Sequence, residues 1–134
     1  MTAQRILVVD DDRKFLHFVT ELLTGAGYEV HSTSDALKAV AMAREIMPSV
    51  AILDISMPKL DGLELARQLH DDPWTEKIRC MFLTARSPSE GLKPAQDAGG
   101  RAYLQKPVQS SKLLWLLKTL LSEEPPKSKR SPRR

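Results

Sequence analysis

Asp54 closes the apolar run Val50-Ala51-Ile52-Leu53 and is followed at once by Ile55-Ser56-Met57-Pro58. A strand whose side chains are nearly all apolar is typical of a parallel sheet that is buried on both faces. Open α/β sheets bind their ligands outside the carboxyl ends of such strands. The sequence therefore predicts that the Asp54 carboxylate lies at the ligand-binding edge of a parallel sheet.

Three further apolar runs are also followed by polar residues whose side chains could bind a ligand. They are Ile6–Val9 before Asp10-Asp11-Asp12, Met81–Leu83 before Thr84, and Ala102–Leu104 before Gln105-Lys106-Pro107. Because the carboxyl ends of parallel strands meet at one edge, we expect several carboxylates, a hydroxyl and an ammonium to meet there. Crowded carboxylates either bind protons at a raised pKa or bind a hard divalent cation.

The segments between these strands carry apolar residues at helical spacing. Helices are expected at residues 13–24, from about 35 to 46, at 63–69 and at about 110–121, with Tyr28–His31 as a further short strand. Asp12, Ser34 or Asp35, and Asp61 are suitable caps for the first three helices. The alternation predicts five parallel strands with helices on both faces of the sheet.

The segment between Thr84 and Arg101 fits this alternation least well. A helix belongs there, yet Gly91 and Pro94 fall in its expected middle. Relative to alanine, an interior proline costs about 3 kcal/mol and a glycine about 1 kcal/mol. This fourth helix is therefore expected to be short or irregular, or to begin late with Pro94 in its first turn.

Length and charge indicate one domain followed by a basic tail. The chain has 134 residues and a single cysteine, Cys80, which excludes an intramolecular disulfide. Residues 1–121 hold 15 Lys or Arg against 15 Asp or Glu, whereas residues 122–134 hold five against two. The neutral body offers no broad surface for a polyanion. We expect a domain over 1–121 and a disordered tail over 122–134, either solubilising or a weak tether for nucleic acid, an acidic protein or an anionic membrane.

Four pieces of the sequence, taken together and in order, resemble the receiver domain of bacterial response regulators over residues 4–121. They are Ile6–Asp12, Leu53–Pro58 with Asp61-Gly62, Leu83-Thr84-Ala85, and Tyr103–Pro107. The separations are 43 residues from Asp11 to Asp54, 30 from Asp54 to Thr84 and 22 from Thr84 to Lys106. The resemblance implies a flavodoxin-like, doubly wound α/β fold with strand order 2-1-3-4-5 and five helices.

The resemblance also implies a role for each residue at the sheet edge. Asp54 would be phosphorylated, and Mg²⁺ or Mn²⁺ would be bound by Asp10, Asp11, Asp54 and the backbone carbonyl of Ser56. Lys106 would pair with Asp54 at rest, Lys106 and Thr84 would contact the phosphoryl oxygens, and Tyr103 would act as the switch. Lys106-Pro107 would be a cis peptide, whereas base rates alone favour trans.

Each of these residues also has an ordinary structural interpretation. Three aspartates after a strand are typical of a solvated turn and a helix cap, which remains the expectation for Asp12. Thr84 would otherwise end a strand, Lys106 would be a surface lysine, and Tyr103 would be half-buried with a hydrated hydroxyl. Arg86, two residues beyond Thr84, would pair with phosphate or with Glu90, or be solvated.

Three functions follow from these patterns. The first is a stand-alone response-regulator receiver rather than an enzyme, which takes a phosphoryl group from a sensor histidine kinase or a histidine phosphotransfer protein. It would switch binding of a downstream protein through the surface of helix 4, strand 5 and helix 5. The second is a phosphohydrolase with Asp54 as nucleophile, similar to haloacid dehalogenases but with Ser56 at their second aspartate. The third is a phosphorylation-independent binding module.

Two further expectations concern assembly and location. The last helix, which contains Trp115, is apolar nearly all round, so part of it would meet a partner or a second copy of the chain. No 18-residue apolar stretch or signal-like segment is visible, which predicts a cytoplasmic protein with no membrane span.

Overall fold

The computed structural model describes residues 3–124, which form a five-stranded sheet with helices on both faces. The strands are β1 Arg5–Val9, β2 Glu29–Thr33, β3 Val50–Leu53, β4 Arg79–Thr84 and β5 Ala102–Gln105. The α-helices are α1 Arg13–Gly25, α2 Ala39–Ile46, α3 Gly62–Asp71, α4 Pro88–Asp97 and α5 Ser110–Ser122. All four strand pairings are parallel and the order is β2-β1-β3-β4-β5, which confirms the predicted flavodoxin-like fold.

The apolar strands explain why the sheet has two covered faces. Alternate residues of a strand point to opposite faces, so Leu7 and Val9 join one core cluster and Ile6 and Val8 the other. The first cluster packs under α2, α3 and α4, and the second packs under α1 and α5. All four residues of β3 are buried, which places the end of this central strand, and hence Asp54, between the two layers.

Aspartate caps begin three of the helical segments, as the sequence predicts. The Asp12 carboxylate accepts hydrogen bonds from the backbone amides of Lys14 and Phe15 at the start of α1. Asp61 accepts from the backbone amide of Glu64 at 2.8 Å. Asp35 caps a short 3₁₀ turn, Ala36–Lys38, which leads directly into α2.

Helix α4 differs from the predicted late start. It begins at Pro88 rather than near Pro94 and runs for ten residues. Proline at the first helical position loses no hydrogen bond there, which explains the early start. Pro94 lies inside the helix, where it cannot donate to the carbonyl four residues before it, yet α4 continues through it without a break, so the disturbance is limited to this one missing hydrogen bond.

The C-terminal end of α5 is held by two arginines, one at the start of β4 and one just before β5. Arg79 donates to the Glu123 carbonyl at 2.6 Å, and Arg101 donates to the Glu124 carbonyl. These contacts lie just beyond the predicted domain end at residue 121. Residues 125–134 of the predicted tail lie outside the described residues. Within residues 3–124, no helix has the length and apolar character needed to cross a bilayer.

Gly62, at the start of α3, packs directly against the backbone of Asp54. Its amide donates to the Ile55 carbonyl at 2.9 Å, and a Cβ atom added at Gly62 would lie 2.0 Å from the Asp54 carbonyl oxygen. The absence of a side chain at this position therefore lets α3 fix the end of β3.

Gly62→Ala should lower the free energy of unfolding by about 2 kcal/mol, because either α3 or the Asp54 backbone must move. Urea denaturation measures this change. Gly25→Ala is the matched control, since a Cβ atom there meets nothing within 4 Å. The control should leave stability unchanged or raise it by up to about 1 kcal/mol. Equal stability of the two variants would contradict the tight packing at Gly62.

Candidate functional site

The carboxyl-terminal edge of the sheet brings four of the predicted residues together. Asp10 follows β1, Asp54 follows β3, Thr84 ends β4 and Lys106 follows β5. Asp10, Asp54 and Thr84 are 2%, 7% and 0% exposed, respectively. Asp11 lies beside them and is exposed. Two buried carboxyl groups and a buried hydroxyl at one edge are unlike a solvated turn.

Lys106 joins the two buried carboxylates. Its Nζ atom lies 2.7 Å from Asp10 Oδ2 and 3.4 Å from Asp54 Oδ2. The same ammonium lies 4.2 Å from the centroid of the Phe15 ring, which provides a cation–π contact from α1. The resemblance implies a pair between Lys106 and Asp54, whereas the closer partner in the structure is Asp10. The peptide bond between Lys106 and Pro107 is cis.

Burial sets the electrostatics of this ion pair. Burial raises the pKa of Asp10, the charge of Asp54 raises it further, and hydrogen bonds from Lys106 and the Asp12 amide only partly offset this. For Lys106, burial opposes the charged form, but the hydrogen bond and charge of Asp10, together with Asp54, outweigh it and raise the pKa. The site therefore disfavours the ionised form of Asp10 and favours the charged form of Lys106.

The acidic residues at this edge could bind a metal ion. One carboxylate oxygen from each of Asp10, Asp11 and Asp54 lies within 4.8 Å of the others. Lys106 supplies one positive charge against these three carboxylates, so an excess of negative charge remains. Hard divalent cations such as magnesium prefer oxygen ligands of this kind. The donor set therefore fits a divalent cation.

Ser56 and Arg86 meet beside Asp54, and the sequence did not indicate the hydrogen bond between them. The backbone amide of Ser56 donates to Asp54 Oδ1 at 3.3 Å, and Arg86 Nε donates to Ser56 Oγ at 3.0 Å. From the sequence, phosphate, Glu90 or solvent were the possible partners of Arg86. Glu90 instead accepts a hydrogen bond from Ser87 Oγ at 3.1 Å. The sequence signal for the Arg86 contact is that Ser56 stands two positions after Asp54 and Arg86 two positions after Thr84, each just beyond a strand end.

Tyr103 connects β5 to the loop that follows β4. Its hydroxyl donates to the Arg86 carbonyl at 2.8 Å. Burial raises the pKa of this hydroxyl. A Cβ atom at Gly91 in α4 would lie 2.2 Å from the same hydroxyl oxygen, so only glycine leaves room for it. The glycine that weakens α4 in the sequence thus has a packing role beside Tyr103.

Comparison with known proteins places these features in a family. The family model described as "Response regulator receiver domain" matches residues 6–118. The response regulator MprA of Mycobacterium avium (strain 104) is 37% identical over 122 residues, which are 91% of this chain and 53% of that protein. The chain therefore spans about half the length of the curated relatives it matches.

Solved structures show the same fold. A CheY-like response regulator receiver domain protein from Methanospirillum hungatei JF-1 has a TM-score of 0.83 and 30% identity, covering 90% of this chain and 94% of that one. The receiver domain of the sensor histidine kinase PA1611 from Pseudomonas aeruginosa PAO1, solved with magnesium in its active site cleft, has a TM-score of 0.84. It is 24% identical over 91% of this chain and 100% of that one, a likeness that concerns the fold alone.

The raised pKa of Asp10 predicts how charge at this site affects stability. The folded-state pKa lies above the ordinary value of 3.8, so the folded protein keeps this proton to higher pH than the unfolded chain. Stability from this group is present below 3.8 and is lost as pH rises through the folded pKa. Asp10→Asn should therefore raise the free energy of unfolding at pH values near 7, and the gain should disappear in acid.

Urea denaturation of metal-free protein at neutral and acid pH tests this expectation. Asp12→Asn is the control, because asparagine also caps a helix and the Asp12 side chain is exposed. A lower stability of Asp10→Asn at neutral pH would show that the bond to Lys106 outweighs the cost of burying the Asp10 charge.

Proposed function

The chain belongs to the response regulator receiver domain family of two-component signalling, and we propose that it accepts a phosphoryl group on Asp54. The observation that carries this proposal is the buried Asp54 carboxylate beside the Lys106 ammonium, at an edge with two further carboxylates. The phosphoryl donor is a phosphohistidine of a sensor histidine kinase or of a phosphotransfer protein. The receiver is a signalling switch and not an enzyme that turns over a separate substrate.

The transfer needs a nucleophile and groups that receive charge. An Asp54 oxygen attacks the phosphorus atom, the phosphorus–nitrogen bond breaks, and the imidazole leaves with its electron pair and takes up a proton. Asp54 then holds an acyl phosphate. The Lys106 ammonium, 3.4 Å from Asp54 Oδ2, and the buried Thr84 hydroxyl pair with phosphoryl oxygens. The chain thus supplies both nucleophile and stabilising groups.

The cofactor of this proposal is Mg²⁺, with Mn²⁺ as its substitute. Asp10, Asp11 and Asp54 supply carboxylate oxygens, and the Ser56 backbone carbonyl completes the protein's share of ligands. When bound, the cation neutralises charge on the phosphoryl oxygens. Support comes from the excess of carboxylates over ammonium groups at this edge and from oxygen donors within 4.8 Å of one another.

The output of the switch is a change in partner binding at the surface of α4, β5 and α5. Tyr103 lies on β5 and contacts both the Arg86 carbonyl and Gly91 of α4. Movement of the loop between β4 and α4 therefore alters this surface. Trp115 of α5 is 64% exposed, and exposed aromatic side chains are frequent anchors at protein interfaces. A downstream protein or a second copy of the chain binds here.

Incubation with acetyl phosphate and Mg²⁺ should add one phosphoryl group to the parent chain and none to Asp54→Asn, because asparagine has no nucleophilic oxyanion. Intact-mass spectrometry measures the gain, and removal of Mg²⁺ with a chelator should suppress it. Asp12→Asn serves as the control and should be labelled like the parent.

Three results would contradict this proposal. Labelling that survives in Asp54→Asn would move the acceptor elsewhere. Sustained turnover of an added phosphoester would instead indicate a phosphohydrolase. A parent chain that gains no mass would leave a phosphorylation-independent binding module as the remaining function.

A further inference from the structure

Phe15, in the first turn of α1, places its aromatic ring against the ammonium group of Lys106. The Nζ atom lies 4.2 Å from the ring centroid, within the range of a cation–π contact. The same atom lies 2.7 Å from Asp10 Oδ2 and 3.4 Å from Asp54 Oδ2. The Lys106 side chain is 17% exposed, so these contacts are largely shielded from water. The ammonium therefore has one aromatic and two anionic neighbours.

One turn of backbone positions both the ring and Asp10. The amide of Asp12 donates to Asp10 Oδ1 at 2.9 Å, and the Asp12 carboxylate accepts from the Phe15 amide at 3.2 Å. Phe15 is half-buried and packs against the core cluster under α1 and α5. Its ring centroid also lies 6.0 Å from that of Phe18 on the same helix. The ring is therefore held in place independently of Lys106.

We propose that Phe15 is a positioning residue that holds the Lys106 ammonium between Asp10 and Asp54, within reach of the phosphoryl group. This proposal rests on the phosphorylation of Asp54 proposed above. Before transfer, the closer hydrogen-bond partner of Lys106 is Asp10. After transfer, the ammonium pairs with a phosphoryl oxygen on Asp54 and its bond to Asp10 lengthens. The contact with the ring persists through this exchange, because attraction to a ring face does not require one N–H bond to point at one atom.

The chemistry of the ring suits this position better than an aliphatic or an acidic side chain would. An aliphatic side chain would fill the space without a negative face, so the ammonium would settle on Asp10, its closer partner. An acidic side chain would attract the ammonium but add a fourth carboxylate to an edge that already has three. That charge would repel the phosphoryl donor. The ring attracts the ammonium and leaves the net charge of the edge unchanged.

Fluorinated phenylalanines incorporated at position 15 of the full chain test this role. One, two or three fluorine atoms weaken the negative ring face stepwise and nearly preserve its shape. Intact mass gives the rate of phosphoryl gain from acetyl phosphate with Mg²⁺, and NMR titration gives the beryllofluoride concentration that half-saturates the site. With three fluorines, labelling should be about fivefold slower and the half-saturating concentration about fivefold higher, as expected for loss of one shielded cation–π contact.

A second readout follows the contact itself and needs no phosphoryl transfer. In the unlabelled protein, the ring current of Phe15 should shift the ε-proton NMR resonances of Lys106 upfield from those of exposed lysines. Phe15→Leu keeps an apolar side chain but should abolish this shift and slow labelling about fivefold. Phe15→Tyr keeps the ring face and should retain both the shift and the parent rate.

Phe18 provides the matched control, because it lies on the same helix and is 40% exposed. Three fluorine atoms on Phe18 should leave labelling and beryllofluoride binding like those of the parent. Constant values across the series at position 15, an equal effect at Phe18, or a parent without the upfield shift would each overturn the inference and leave the proposed function standing. A parent chain that takes neither phosphoryl nor beryllofluoride would overturn both. If Phe15→Leu does not fold, the fluorinated series still decides.

Discussion

The ion pair of Lys106 with Asp10 is the interaction on which the candidate functional site depends. The two charged atoms lie 2.7 Å apart, and Asp54 lies 3.4 Å from the same ammonium. Carboxylates that are almost fully buried are unfavourable unless a charge or hydrogen bonds compensate them. Asp10, Asp54 and Lys106 follow β1, β3 and β5. The sheet must therefore form with its strands in the observed order before these side chains can meet. The pair leaves the edge with excess negative charge, which favours a cation.

Packing fixes the backbone of Asp54, whereas its side chain lies among polar groups. Gly62 holds the backbone of Asp54 from the side of α3, and buried β3 residues hold it from below. The Asp54 side chain, in contrast, meets polar groups: the Lys106 ammonium and the Ser56 amide. A rigid backbone with a side chain held by polar groups is the arrangement that a positioned nucleophile requires. Packing of β3 and α3 therefore fixes the position from which the Asp54 carboxylate extends.

The sequence predicted the sheet and the composition of the site because both depend on short-range patterns. Runs such as Ile6–Val9 and Val50–Leu53 are apolar on both faces, and parallel topology alone brings their ends to one edge. The caps at Asp12 and Asp61 follow from local hydrogen bonding. Contacts that depend on side-chain rotamers were not predictable in this way. Asp10 as the nearer partner of Lys106, and Ser56 as the partner of Arg86, arise from packing between residues distant in sequence. Gly91 was expected only to weaken the fourth helix, because helix propensity considers the helix by itself. In the structure the missing side chain leaves room for the Tyr103 hydroxyl, a contact that helix propensity does not include.

The stability of metal-free Lys106→Met tests most directly whether this lysine holds the acidic edge together. Removing one partner of a buried ion pair leaves uncompensated charge, so the free energy of unfolding at neutral pH should fall by about 3 kcal/mol. Lys118→Met, at an exposed position of α5, is the control and should change stability by less than about 0.5 kcal/mol. The deficit of Lys106→Met should shrink in acid, where protonated carboxyl groups no longer need a cation. Equal stability of the two variants in urea denaturation at neutral pH would contradict the account.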